Sequence, residues 1–189
     1  RQNNIKRFLA FSSIAQAGFI LLGVLGAGEL GMTSIVYFVL VYVFTNLGAF
    51  GVVSAIYDAS GVETISGYNG LYKTNPKLSL LMTLSLFSLA GIPPVAGFFG
   101  KFFLFTAAAG SGYYILVLIA VLNATISLYY YLKVVKAMFI DQNDQPIPTF
   151  RSSNAMRTAL IACIAGVFVI GFASGIFEYI RSISQLFLN

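Results

Sequence analysis

The sequence of 189 residues contains no histidine, no tryptophan and a single cysteine, Cys163. Without histidine there is no imidazole to serve as a general base or as a metal ligand. One cysteine, set inside an apolar run, cannot close an intrachain disulfide. Charge is equally scarce: 9% of residues are charged, where a soluble domain carries roughly a quarter. Neither GxGxxG nor GxxxxGK[ST] occurs, which leaves nucleotide binding without support. Hydrophobic residues make up 58% of the chain, and its mean hydropathy is +0.86. These values belong to the membrane class. A net charge of +5 would point a soluble protein toward nucleic acid. Here the basic residues lie between apolar runs, so membrane topology accounts for them and no nucleic-acid partner is expected. The chain opens on Arg1 and Gln-Asn-Asn rather than on methionine or a signal peptide, and is expected to be a piece of a longer polypeptide.

Five stretches have the ~20 uncharged residues that a bilayer crossing needs. They cover residues 8–28, 32–57, 78–108, 113–132 and 158–177. The expected fold is an all-α integral membrane protein, one transmembrane bundle with about five helices, the third broken at Gly91–Pro94. Polar loops over 58–77 and 141–154 separate the spans, with turn signals at Ser66-Gly67-Tyr68-Asn69-Gly70 and Asn75-Pro76. If the third span crosses once, Arg1, Lys6, Arg7, Lys73, Lys77, Lys133, Lys136, Arg151 and Arg157 share one side and Arg181 alone occupies the other. The positive-inside rule makes the first side cytoplasmic, or its organellar equivalent. A re-entrant hairpin at the prolines would leave halves of ~15 residues, too short to cross, and would erase this asymmetry. A single crossing by a broken helix is favoured.

Two consecutive prolines after Gly91 cost a helix ~3 kcal/mol or more each by removing N–H donors and clashing with the preceding turn. In lipid the freed carbonyls need partners, so the break should face protein or water. A structural kink that only shapes packing is the plain alternative. Lys101 lies seven residues past Pro94, flanked by Phe98-Phe99-Gly100 and Phe102-Phe103-Leu104-Phe105. A lysine at the bilayer centre costs ~2.5–3.5 kcal/mol even on lenient scales. It could snorkel to an interface, but the nearer one holds almost no other basic charge. A lysine facing a hydrated cavity, gaining and losing a proton, is the functional reading.

A relay needs further polar groups. Ser12, Ser13 and Gln16 lie on the first span, Tyr42, Thr45 and Asn46 on the second, Ser85 and Ser88 before the break, and Asn123, Thr125, Ser127 and Tyr130 on the fourth. Of these, Gln16, Thr45, Asn46, Ser88, Asn123 and Tyr130 are the relay candidates around Lys101. Each could equally be interhelical hydrogen-bond glue, worth ~0.6 kcal/mol on average.

The segment from Asn4 to Ile14 resembles the "IKRxLAYSSI" start of a late helix in the antiporter-like membrane subunits of complex I, the proton-translocating NADH:quinone oxidoreductase. Ser88 to Phe102 resembles that family's "SLAGIPPxxGFFGKF" broken helix, and Leu128 to Val135 its "YYYLRVV" helix end. With Asn46-Leu47-Gly48-Ala49-Phe50, the resemblance is to the N-type branch rather than the L and M types, and it extends over essentially the whole chain. It implies a subunit of fourteen helices built from inverted five-helix repeats, of which this chain matches the last five. It also implies that Lys101 occupies the family's lysine in the broken helix, with Gly91, Pro93 and Pro94 as its structural support. Gln16 stands where many members have histidine, so a histidine-dependent relay does not carry over.

The leading expectation is therefore a membrane-arm subunit that provides part of a proton pathway. No redox or catalytic centre is expected in this chain, with NAD, flavin, iron–sulfur and quinone sites in partner subunits. The expected partners are the remainder of the N-type subunit, other membrane-arm subunits and the lipid bilayer. The expected location is a multi-pass position in an energy-transducing membrane, bacterial inner or organellar. Two alternatives remain open: a subunit of a related multi-subunit cation/proton antiporter or membrane-bound hydrogenase, and a structural bundle that conducts no ions.

Overall fold

A computed structural model describes residues 2–188; Arg1, counted above with the basic residues, lies outside the described residues. Helix α1 spans Ile5–Leu25 and α2 spans Gly28–Ser60. A short 3-10 turn at Ile65–Tyr68 and a single-turn α3 at Leu71–Thr74 lead into α4, Pro76–Ala90. Helix α5 is Ala96–Gly110, α6 is Tyr114–Phe139, α7 is Asn154–Phe172 and α8 is Ser174–Leu188. Four of these, α1, α2, α6 and α7, are individually long and apolar enough to cross a membrane. The fifth crossing is made by α4 and α5 together, 15 residues each.

Local chemistry explains the ends. Asn4 caps α1 by accepting the Arg7 N–H at 3.1 Å, and Ser153 caps α7 by accepting that of Met156 at 3.2 Å. Pro76 opens α4 at a position where its missing N–H costs nothing. The chain returns between α1 and α2 through Gly26-Ala27 alone, so those two helices pack antiparallel. Helix α2 is the hub, in contact with α1, α4, α5, α7 and α8. One apolar core, built on Ile5, Leu9, Val52, Ile56, Met82 and Met138, fills the end of the bundle where α1 begins. A second, around Phe19, Leu22, Phe38 and Leu104, lies farther along α1.

The same end carries the polar loops. Asn4 and Thr64 form an antiparallel bridge, the Ile5 N–H donates to Glu63 O at 2.8 Å, and the Ile65 N–H donates to Asn3 O at 2.8 Å. Lys6 reaches the Glu63 carboxylate at 2.7 Å and sits 3.3 Å from the centre of the Tyr57 ring. Hydrogen bonds from Lys6 and then Asn4 hold the Glu63 carboxyl below its usual range, so it remains a carboxylate at neutral pH. Asn75 ties in the second loop by donating to Pro148 O at 3.1 Å and accepting the Phe150 N–H at 3.3 Å. At the far end, Ser111 donates to Gly26 O at 2.6 Å. Since α4 starts among the basic loops and α5 finishes against the far end of α1, the broken helix crosses once.

Helix α6 continues through Lys133 and Lys136 to Phe139. The second and fifth spans depart from the sequence reading. Helix α2 begins four residues before the expected span over 32–57 and runs three past it. The fifth span, expected over 158–177, ends as a helix at Phe172, and the chain turns at Ala173 into α8. The reason is polarity. In α8, Ile180 and Ser184 are buried, whereas Glu178, Arg181 and Gln185 are exposed, and α8 packs on α2 with Arg181 paired to Glu29 at 2.5 Å. A helix with charges along one side lies at an interface rather than continuing a crossing.

Candidate functional site

The proline pair dictates the site by arithmetic. In an unbroken helix each carbonyl accepts the N–H four residues ahead. Counting back four from Pro93 and Pro94, neither of which has an N–H, gives Leu89 and Ala90. Gly91 ends α4 in the left-handed conformation with φ 83°, and both its N–H and that of Ile92 turn back to Phe87 O at 3.0 Å. These closing bonds bypass the carbonyls of Leu89 and Ala90, which are left for another donor.

That donor is Lys101. Its Nζ donates to Leu89 O at 2.6 Å and to Ala90 O at 3.2 Å. The side chain is 4% exposed, and its ammonium lies 4.7 Å from the centre of the Phe19 ring. Side chains on a helix lean toward its N-terminus, so a lysine one and a half turns into α5 reaches back over the break. Gly91, Pro93 and Pro94 therefore do more than bend the span: they expose the acceptors that Lys101 uses.

The relay candidates divide. Gln16 is buried, and its Nε2 donates to Leu89 O at 3.0 Å, so it shares an acceptor with Lys101. Its Oε1 is buried without a protein partner. Thr45 and Ser88 are buried and joined hydroxyl to hydroxyl at 2.9 Å, with Thr45 donating to Val41 O at 2.8 Å. Asn46 is half-buried on α2. Asn123 and Tyr130 are exposed on the outside of α6 and join none of these hydrogen bonds. In the place expected for Tyr130 stands its neighbour. Tyr131 is 3% exposed, its hydroxyl 2.5 Å from Ser12 Oγ and accepting from Gln16 Nε2 at 3.3 Å. Ser12, Tyr131, Gln16, Leu89 O and Lys101 thus form one continuous polar line across α1, α6, α4 and α5. Its outer end reaches a groove of about 690 Å³ between α1 and α6, lined by Phe8, Phe11, Ser12, Ser127, Tyr131 and Lys133.

Sequence reasoning passed over Tyr131 because three tyrosines in succession look alike. A signal was available: Tyr131, Val134 and Met138 fall on one helical stripe, and all three are buried. The hydroxyl can be tested apart from the lysine. Tyr131→Phe deprives two buried groups of a partner and should destabilise the full-length protein by about 1–2 kcal/mol. Tyr130→Phe should leave stability unchanged. Thermal unfolding in detergent checks both, and equal midpoints for the two variants would remove Tyr131 from the line.

Residues 1–127 match the family described as "NADH:quinone oxidoreductase/Mrp antiporter, TM". The chain is 57% identical over 187 residues to a NADH-quinone oxidoreductase subunit N of Phocaeicola vulgatus, an alignment that covers 98% of this chain and 40% of that protein. It is 40% identical over 183 residues to a NAD(P)H-quinone oxidoreductase subunit 2 of Synechococcus elongatus, with 92% and 35% covered. Among solved structures it is similar to a chain of respiratory complex I from Thermus thermophilus, with TM-score 0.78 and 30% identity over 92% of this chain and 39% of that one. A chain of the Mrp complex from a Dietzia species shares the fold, with TM-score 0.87 at 22% identity over 97% of this chain and 42% of that one. The chain spans about two fifths or less of the length of these curated relatives.

Proposed function

This chain belongs to the NADH:quinone oxidoreductase/Mrp antiporter transmembrane family, and on that premise we propose that it is the part of an N-type membrane-arm subunit that contributes the proton-relay residue Lys101 to a proton-translocating NADH:quinone oxidoreductase. The observation that carries the reading is the buried ammonium of Lys101 on the two carbonyls that Pro93 and Pro94 leave without backbone donors. An ionisable side chain is kept inside a membrane bundle at considerable cost, and such residues mark ion pathways. Broken helices that present carbonyls at mid-membrane serve ion movement in transporters.

In this scheme Lys101 holds and releases a proton as its surroundings change. Ser12 and Tyr131 carry protons between the α1–α6 groove and the interior, and Gln16 orients that line toward Leu89 O. Thr45 and Ser88 pack the opposite side of the break. NAD, flavin, iron–sulfur and quinone chemistry is assigned to partner subunits, which drive Lys101 from a distance. The remainder of the subunit and the neighbouring membrane-arm subunits complete the pathway. The membrane is an energy-transducing one, a bacterial inner membrane, with the basic end of the bundle on its cytoplasmic side.

The test uses the full-length protein. A strain lacking the gene, complemented with it, should regain NADH-driven acidification of inverted membrane vesicles in sodium-free buffer, read with a ΔpH-sensitive dye. Restored NADH oxidation with no dye response, or a response that needs sodium, would overturn the assignment.

A further inference from the structure

We propose that the groove between the start of α4 and the start of α7 is a binding site for an anionic phospholipid. The groove has a volume of about 450 Å³ and is lined by the cationic side chains of Lys77, Arg151 and Arg157. No aspartate or glutamate lines it. Elsewhere at this end of the bundle, Lys6 is neutralised by Glu63 and Lys136 by Asp141. Among the described residues, none of Lys77, Arg151 and Arg157 takes part in an ion pair. Three uncompensated cations around one concavity attract phosphate, and arginine in particular matches its oxygens two at a time.

The loop is built to bring them together. Asn75, itself buried, turns its side chain away from the start of α4 and onto the carbonyl of Pro148 and the N–H of Phe150. Thr149 adds a bond to Thr74 O at 3.0 Å. These contacts fasten the segment before Arg151 to the residue before Pro76, so Arg151 arrives beside Lys77. Arg157 projects from the first turn of α7, whose start is fixed by the Ser153 cap.

The rest of the lining argues for a lipid rather than a soluble anion. Leu78 and Leu81 on α4, and Leu160 and Ile161 on α7, continue the wall below the cations. Leu81 lies five residues past Pro76, which at 1.5 Å per residue is ~7 Å deeper in the span. Ile161 is 63% exposed. The groove thus offers charge at the level of headgroups and apolar surface at the level of acyl chains. Basic pockets between transmembrane helices on the anionic side of a membrane take such headgroups. The position agrees with the distribution of the chain's basic residues, which concentrate at this end.

The experiment uses the assembled complex containing the full-length protein. Photoactivatable phosphatidylglycerol and phosphatidylcholine with identical chains are added separately, and labelled peptides are mapped by mass spectrometry. Phosphatidylglycerol should label the segments carrying Leu78–Leu81 and Leu160–Ile161 at least about tenfold more than phosphatidylcholine, on the scale of a favourable increment for each basic side chain. Changing Lys77, Arg151 and Arg157 to glutamine together should abolish that preference. The charge-preserving set Lys77→Arg, Arg151→Lys and Arg157→Lys should keep it. Equal labelling by the two lipids in the wild-type complex would overturn the proposal, a result that does not depend on any variant assembling. So would protection by millimolar inorganic phosphate, which marks a soluble-anion site, or a protein crosslink at the groove with no lipid label, which marks an acidic partner.

Discussion

Replacing Lys101 by methionine should lower NADH-driven proton transport by the assembled complex about tenfold or more, because a positioned proton carrier accounts for at least ~10²-fold in a transfer step and parallel routes conceal part of that. Methionine keeps the length and apolar stem of lysine but supplies no donor to Leu89 O and Ala90 O, which Lys101 holds at 2.6 and 3.2 Å. Leu89 O would keep the Gln16 amide, but Ala90 O would lose its side-chain donor. A buried carbonyl left unpaired costs ~1–3 kcal/mol, enough for this variant alone to lose activity through misassembly. Lys101→Arg separates the two causes. A guanidinium can satisfy the same carbonyls and stays charged, but it does not give up its proton in a protein. The expected outcome is a complex that assembles with arginine, retains the break, and still fails to pump. Pumping that survives in both variants would leave Lys101 as a structural strut. A bundle that conducts nothing predicts more, namely that Lys101→Leu assembles and the complex pumps normally.

The parts of this site that were legible in the sequence are those set by backbone chemistry. Proline lacks an N–H wherever it stands, and a lysine between runs of phenylalanine is costly in any membrane fold, so the break and its lysine followed from residue identity. The acceptors were legible too, although only by counting back from each proline, since Leu89 and Ala90 contribute nothing but main-chain oxygens. The single crossing followed from charge, and the hydrogen bond of Ser111 to Gly26 at the far end agrees with it. The helix partners were not legible. In a soluble helix the polar face announces the outside, whereas in α6 nearly every residue is apolar and exposed and buried positions look alike. Successive residues on a helix point about 100° apart, so only the placement of α1 and α4 selects Tyr131 over Tyr130. Asn123 was a reasonable candidate by type and lies on the outside for the same reason. The turn at Ala173 was masked by the apolar residues Ile176 and Phe177, which pack on the bundle within α8 rather than extending α7.

Gly97→Ala should be as damaging to assembly as the loss of Lys101 is to transport. A Cβ at Gly97 would stand 1.8 Å from Ser88 O, 2.6 Å from Ser88 C and 2.9 Å from Ser88 Oγ. The first two are backbone atoms at the end of α4, so no rotamer change relieves the contact. To restore the 3.0 Å that real Cβ atoms keep, α5 must withdraw from α4 by roughly 1.2 Å. Overpacking inside a core costs ~1–3 kcal/mol when side chains can adjust, and a clash with fixed backbone belongs at the top of that range or above it. The displacement also has a direction. Lys101 is one turn beyond Gly97 on the same face of α5, so the withdrawal lengthens its bond to Leu89 O. The variant should therefore reduce the assembled fraction of the complex on native gels by roughly tenfold or more, at 1.4 kcal/mol per tenfold. The complex that does assemble should pump poorly. Gly18→Ala is the control: it lies on the exposed face of α1, where an added Cβ meets nothing within 4 Å, and alanine there should stabilise the helix by about 0.5–1 kcal/mol. Unchanged assembly and pumping in Gly97→Ala would mean that α4 and α5 tolerate a wider break, and that Lys101 does not depend on their close approach.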